Sequence, residues 1–130
     1  MGFTVLIVDD NAAFLDAART LLEAEGLSVV ALASTGSEAA AFCFALKPEV
    51  ALVDVTLSGE SGFDVARRLS ELSPPPAVIL ISTHAEGDFV ELITESPARG
   101  FLPKSKLSAE AIRRLTESAA RAEANGSSDR

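Results

Sequence analysis

The chain has 130 residues, of which 48% are hydrophobic and 23% are charged, and this composition is typical of one soluble globular domain. Nineteen acidic residues against eleven basic ones give a net charge of −8, which disfavours contact between this domain and a nucleic-acid backbone. The single cysteine and the lack of any membrane-span or signal-peptide pattern predict a cytoplasmic protein without internal disulfides or membrane contact.

Strand-like and helix-like segments alternate five times, which predicts an α/β fold with helices on both faces of a parallel sheet. The strand segments are rich in Val, Ile and Leu without polar alternation, as expected for strands buried on both sides. The predicted strands are Phe3–Val8, Leu27–Ala33, Val50–Val53, Ala77–Ile81 and Gly100–Leu102.

Apolar residues at helical spacing predict the helices between these strands. The first helix carries an apolar face and ends near Gly26, and a capping box at Thr35–Glu38 opens a second helix over Ala39–Leu46. A second box at Ser61–Asp64 begins the third helix, and Asp88–Glu95 can form only a short fourth helix. The last helix has an inner stripe of four residues: Ile112, Leu115, Thr116 and Ala119. We expect one domain over residues 1–124, with 125–130 as a polar tail or the start of a linker.

Four predicted strands are followed, within two residues, by side chains that can bind metal ions or phosphate. These side chains are Asp9, Asp10, Asp54, Ser82 and Lys104. Because the carboxyl ends of parallel strands meet at one edge of a sheet, we expect all of them to converge on one shallow pocket. Three carboxylates repel one another unless a cation neutralises them, and carboxylate oxygens suit Mg²⁺.

The same residue types are able to support phosphoryl transfer. A hydroxyl and an ammonium can hold two phosphoryl oxygens while a metal ion holds a third, and a carboxylate can accept the group as an acyl phosphate. Asp54, at the end of the predicted central strand, is the best candidate nucleophile. Taken singly, an aspartate of the first pair could be a helix cap, Ser82 a strand-end cap and Lys104 a solvated lysine, but their occurrence together favours the phosphoryl site.

The chain from Phe3 to about Ala122 resembles a response-regulator receiver domain of two-component signalling. Four motifs carry the resemblance: Leu6-Ile-Val-Asp-Asp-Asn11, Val53-Asp-Val-Thr-Leu-Ser-Gly59, Ile79-Leu-Ile-Ser82 and Gly100-Phe-Leu-Pro-Lys-Ser105. The resemblance implies a flavodoxin-like, doubly wound five-stranded parallel sheet in the order 2-1-3-4-5. It also implies a signalling domain, not a true enzyme, that catalyses only its own phosphorylation and dephosphorylation.

The resemblance assigns a role to each candidate residue. Asp54 would accept a phosphoryl group from a sensor histidine kinase or a phosphotransfer protein, assisted by Lys104. Mg²⁺ would be held by Asp54, by the first aspartate pair and by the backbone carbonyl of Thr56. Ser82 and Phe101 would form the switch that alters the surface of the fourth helix, fifth strand and fifth helix, through which a homodimer or an output domain could be contacted.

Some positions depart from the common pattern of the family. Ser58 and Ser105 stand where proline is frequent, and Thr83 stands where a smaller residue is usual. By the same resemblance, Thr83, the adjacent His84 and Thr56 are candidates for tuning the lifetime of the phosphorylated state. His84 could equally be an ordinary loop residue.

Other classes of protein fit these residues less well. A pseudo-receiver that works without phosphate stays open, although the complete set of site residues argues against it. The first aspartate pair lacks the Asp-x-Asp arrangement of haloacid-dehalogenase-like phosphatases and would repel a flavin phosphate. The segment Gly100–Leu107 resembles receivers joined to helix-turn-helix domains, so a stand-alone receiver and part of a transcriptional regulator both stay open.

Overall fold

Five parallel strands form the central sheet of the computed structural model, which describes residues 3–84 and 86–117. The strands are β1 (Thr4–Val8), β2 (Ser28–Ala33), β3 (Val50–Asp54), β4 (Ala77–Ser82) and β5 (Gly100–Pro103). Their order in the sheet is β2-β1-β3-β4-β5, and every neighbouring pair is parallel. The predicted fold and strand order are confirmed, and no predicted strand differs from the observed one by more than one residue at either end.

Helices cover both faces of this sheet. They are α1 (Ala12–Ala24), α2 (Gly36–Leu46), α3 (Gly62–Ser70), α4 (Val90–Glu95) and α5, which is helical over residues 109–117. Short 3₁₀ turns at Glu86–Phe89 and Lys104–Lys106 precede α4 and follow β5. The predicted tail at 125–130, the domain boundary at 124 and Ala119 of the inner stripe lie outside the described residues. Within the described ranges, no helix is long and apolar enough to cross a membrane.

The alternation of side chains along the strands divides the interior into two cores. Val5 and Ile7 of β1 pack with α1 and α5 on one face, whereas Leu6 and Val8 pack with α2 and α3 on the other. Cys43 of α2 lies buried in the second core, where burial raises the pKa of its thiol to about 11. The apolar strands are therefore fully covered, and their polar ends are left at the edge of the sheet.

The helix starts agree only in part with the predicted capping boxes. Thr35 caps α2 as predicted, because its side chain accepts a hydrogen bond from the Glu38 N–H at 3.1 Å. The second box was wrong in detail. Ser61 accepts from the N–H of Phe63, one residue earlier than the box predicts, and the Asp64 carboxylate pairs with Arg67 at 3.0 Å.

A glycine at the start of α3 allows this helix to approach the carboxyl end of β3. A short hairpin, Thr56–Leu57 with Glu60–Ser61, connects the two elements. A Cβ atom added at Gly62 would lie 2.0 Å from the backbone oxygen of Asp54. Only a residue without a side chain fits this approach, so Gly62 helps to fix the position of the Asp54 backbone.

Gly62→Ala is expected to lower the free energy of unfolding by about 3 kcal/mol or more, because the added methyl group overlaps backbone atoms that cannot move aside. Gly59→Ala is the matched control. Gly59 has a φ of 77° but nothing within 4 Å of an added Cβ, so we expect a loss of only about 1 kcal/mol from backbone strain. Urea unfolding followed by circular dichroism measures both. Equal losses in the two variants would contradict this account of Gly62.

Candidate functional site

Two buried carboxylates lie side by side at the carboxyl edge of the sheet. Asp9 directly follows β1 and Asp54 ends β3, and the preceding residues Val8 and Val53 are paired across these strands. Asp9 is fully buried and Asp54 is 7% exposed. Oxygens of Asp9, Asp10 and Asp54 lie within 4.8 Å of one another, so the topology brings the three predicted carboxylates together.

Lys104 provides the positive charge of this site. Its Nζ lies 2.5 Å from Asp9 Oδ2 and 3.2 Å from Asp54 Oδ2. The ammonium also lies 4.3 Å from the ring centroid of Phe14 in α1, a favourable cation–π contact. Sequence reasoning did not single out Phe14, so its contact with the ammonium was missed.

The carboxylates of Asp9 and Asp54 use their two oxygens in the same way. Each accepts a hydrogen bond on Oδ1 from the backbone N–H two residues further on, Asn11 at 2.9 Å and Thr56 at 3.2 Å. Each directs Oδ2 at Lys104. The local turn therefore fixes the orientation of both side chains and leaves the ammonium shared between them.

Burial and the neighbouring charges both shift the pKa values of Asp54 and Lys104. Burial raises the pKa of Asp54, and the negative charge of Asp9 adds to this effect, against the lowering by the Thr56 N–H and Lys104. Burial alone would lower the pKa of Lys104. Its hydrogen bond to Asp9 and the charge of Asp54 outweigh burial, so the pKa of Lys104 is raised and the ammonium is retained.

Asp10 differs from its two neighbours because it is exposed. Its Oδ2 accepts hydrogen bonds from both the N–H and the hydroxyl of Ser58, at 2.7 and 2.6 Å. The hydroxyl of Ser58 is the main cause of the lowered pKa of Asp10. The first helix, which one aspartate of the pair could have capped, is capped by Asn11.

The predicted switch residues are Ser82, which ends β4, and Phe101, which lies within β5. Ser82 is buried one residue beyond Ile81, the strand partner of Asp54, and its Oγ accepts from the His84 N–H at 2.9 Å. Thr83 and His84 are exposed. Phe101 is buried, with its ring centroid 6.2 Å from that of Phe89.

Phe89, which the sequence did not single out, connects the aromatic residues near the site. Its ring lies 6.0 Å from Phe63 of α3 and 6.1 Å from the edge-on imidazole of His84, in addition to its contact with Phe101. The weak helical periodicity of this segment gave no signal for such a role. The loop after Ser82 is therefore packed against the ring that contacts Phe101.

The donor set at the edge of the sheet suits a hard divalent cation. Three carboxylates supply oxygen ligands of the type that Mg²⁺ prefers, and the ion typically binds one or two carboxylates together with water and a phosphoryl oxygen. Lys104 pairs with two of the three carboxylates but offsets only one of their three negative charges. A divalent cation beside Asp10 would compensate the remainder while leaving the ammonium in place.

A family model described as "Response regulator receiver domain" matches residues 5–117. The chain belongs to this family. The resemblance seen in the four motifs is therefore confirmed, and the domain is a signalling receiver of two-component systems, not a classical enzyme.

This receiver is similar to regulators from other bacteria. It is 31% identical over 116 residues to response regulator GacA of Pseudomonas viridiflava, covering 85% of this chain and 52% of the relative. It is 37% identical over 117 residues to the positive alginate biosynthesis regulatory protein of Pseudomonas aeruginosa, covering 86% and 46%. The receiver domain of the putative response regulator NarL from Mycobacterium tuberculosis superposes with a TM-score of 0.78 at 30% identity, covering 92% and 97%. The chain spans about half the length of the curated relatives it matches.

Asp54→Asn is expected to raise the free energy of unfolding of this receiver at pH 7 by about 1 kcal/mol. Burial raises the pKa of Asp54, so folding with an ionised carboxylate there is unfavourable and the neutral amide removes that cost. The cost is present above the pKa of the folded state and vanishes as the pH falls toward the ordinary value of 3.8. The advantage of the variant should therefore shrink on acidification.

Urea titrations at pH 7 and at successively lower pH measure this difference. Asp64→Asn, which removes an exposed carboxylate paired with Arg67 on the surface, is the control and should change stability by less than about 0.5 kcal/mol. An Asp54→Asn variant less stable than the unmodified receiver at pH 7 would show that the ionised carboxylate stabilises the fold.

Proposed function

We propose that this receiver accepts a phosphoryl group on Asp54 from a phosphohistidine of a sensor histidine kinase or a phosphotransfer protein. The observation that carries the proposal is the position of the Lys104 Nζ, which lies 3.2 Å from Asp54 Oδ2. The Asp54 carboxylate also lies beside those of Asp9 and Asp10. Asp9, Asp10, Asp54 and the backbone carbonyl of Thr56 are the proposed ligands of Mg²⁺. When bound, the ion would neutralise charge on the phosphoryl oxygens.

In the proposed transfer, an oxygen of Asp54 attacks phosphorus while the bond between phosphorus and the imidazole nitrogen breaks. The electron pair of that bond returns to the imidazole, and Asp54 becomes a mixed anhydride. Lys104 can exchange its contact with Asp54 Oδ2 for a phosphoryl oxygen while it keeps its ion pair with Asp9. The ammonium is thus already positioned where negative charge arrives.

Ser82 is the proposed sensor of the new group. Its Oγ is held by the N–H of His84, so a movement of the hydroxyl toward the phosphoryl group would break that bond and release the loop. The ring of Phe101, the second proposed switch residue, is already buried against Phe89. We therefore place the rearrangement in the loop that precedes Phe89, and propose that it alters the surface of α4, β5 and α5 for an output domain or a second copy.

Incubation with Mg²⁺ and a small acyl phosphate is expected to add one phosphoryl group to the receiver, as measured by intact-protein mass spectrometry. Asp54→Asn should show no gain because the nucleophile is absent, and chelation of the metal with EDTA should abolish the gain in the unmodified chain. Asp64→Asn, with its carboxylate on the surface, should be phosphorylated normally. A receiver that gains no mass at all would instead support the pseudo-receiver alternative.

Thr83→Ala and His84→Ala are each expected to shorten the lifetime of phosphorylated Asp54, by roughly 2- to 10-fold. Both side chains are exposed on the loop after Ser82, and removing them should open the proposed phosphate entrance to water.

Thr56, the third candidate for tuning this lifetime, is tested in the same way. Thr94→Ala in α4 is the control, because the Thr94 hydroxyl donates to the Val90 carbonyl of its own helix. Loss of phosphate is timed by mass spectrometry after removal of the donor, and unchanged lifetimes would exclude this role.

A further inference from the structure

Ser58 joins the loop after β3 to the loop after β1. Its N–H and its hydroxyl both donate to the same oxygen, Oδ2 of Asp10, at 2.7 and 2.6 Å. The two residues are 48 positions apart in the chain, so this contact is formed by the tertiary fold and not by a local turn. These two hydrogen bonds tie Asp10 to the loop that carries Thr56.

This contact restrains a side chain that the rest of the site tends to push away. Asp10 is exposed. One of its carboxylate oxygens lies within 4.8 Å of oxygens of the like-charged Asp9 and Asp54. Lys104 makes its direct ion pairs with those two neighbours. Repulsion and side-chain freedom would therefore favour rotation of Asp10 into solvent, and the two hydrogen bonds from Ser58 oppose that rotation.

We propose that Ser58 is a positioning residue that holds Asp10 in place as a ligand and thereby tightens the binding of Mg²⁺. The proposal rests on the proposed function, since it requires the metal site. Both hydrogen bonds end on Oδ2, so they orient the carboxylate without engaging Oδ1. Mg²⁺ tolerates little deviation from octahedral geometry, and hydrogen bonds to its ligands make a large contribution to affinity in metal sites generally.

A single change at Ser58 could remove one or both of these hydrogen bonds. Proline, the residue that is frequent here in similar receivers, has neither an N–H nor a hydroxyl and could make neither bond. Alanine would remove the hydroxyl but keep the N–H, and threonine would keep both donors. Ser58→Thr, Ser58→Ala and Ser58→Pro therefore leave this residue with two, one and no donors to Asp10.

Titration calorimetry of Mg²⁺ into the full chain at constant ionic strength tests the proposal. Ser58→Ala is expected to weaken Mg²⁺ binding by about 10-fold, Ser58→Pro by more, and Ser58→Thr should restore affinity close to that of the unmodified protein. The matched control is Ser34→Ala. Ser34 donates its N–H and hydroxyl to a single oxygen of Glu38 at 2.8 and 3.0 Å, and loss of this similar contact should leave Mg²⁺ affinity unchanged.

A second measurement needs no metal and does not depend on the stability of the Ser58 variants. In metal-free protein, the amide proton of Ser58 should shift upfield in NMR spectra of Asp10→Asn, because a charged acceptor is replaced by a neutral one. Asp64→Asn should leave it unchanged. A Ser58 amide that does not respond to Asp10→Asn would overturn the proposal.

Mg²⁺ binding by the unmodified chain and its variants separates an error about Ser58 from an error about the metal site. If the unmodified chain binds Mg²⁺ and Ser58→Ala binds it equally well or more tightly, the positioning role is wrong while the metal site stands. If the unmodified chain binds no Mg²⁺, or if Asp10→Asn binds it undiminished, the metal site itself is wrong and the role of Ser58 falls with it.

Discussion

The ion pairs of Lys104 with Asp9 and Asp54 are the interaction on which the functional edge of this sheet depends. Two carboxylates with less than a tenth of their surface exposed would be costly to fold beside each other without a cation. The ammonium pairs with both carboxylates, and because they raise its pKa the positive charge is retained between them. The site is thus stable enough to fold and still carries excess negative charge.

That excess charge connects stability with function. The pKa of Asp54 is raised by burial and by Asp9, so the folded state holds this carboxylate in a less favourable environment than water provides. A group that neutralises it, whether a bound cation or a phosphoryl group beside Lys104, would relieve the unfavourable burial. Sites of this kind commonly sacrifice some stability for reactivity.

The sequence predicted the sheet well because its signals are local and repeated. Unbroken apolar runs such as Val50–Val53 define buried strands, and the polar residue after each run identifies the functional edge. The same local chemistry fixes side-chain orientation, since Asp9, Asp54 and Ser82 each accept a hydrogen bond from the N–H two residues later. At these three strand ends the side chain that closes the local turn is also the predicted site residue, whereas the helix-cap role that one aspartate could have taken belongs to Asn11.

Contacts between distant segments were not predictable in this way. The donors of Ser58 to Asp10, the ring of Phe14 beside Lys104 and the central place of Phe89 all depend on how loops and helices approach in three dimensions. The sequence marked Ser58 only as a departure from the common pattern. Even for Ser61, where a helix start was predicted correctly, the structure was needed to show which N–H the hydroxyl meets.

The most direct test of the central claim is a crystal structure of the receiver grown with Mg²⁺ and beryllofluoride, an analogue of the phosphoryl group. We predict that beryllium bonds to an oxygen of Asp54, with Lys104 moved from Asp54 Oδ2 to a fluorine atom and still paired with Asp9. Density for the analogue on another carboxylate, or Lys104 turned away from it into solvent, would contradict the account.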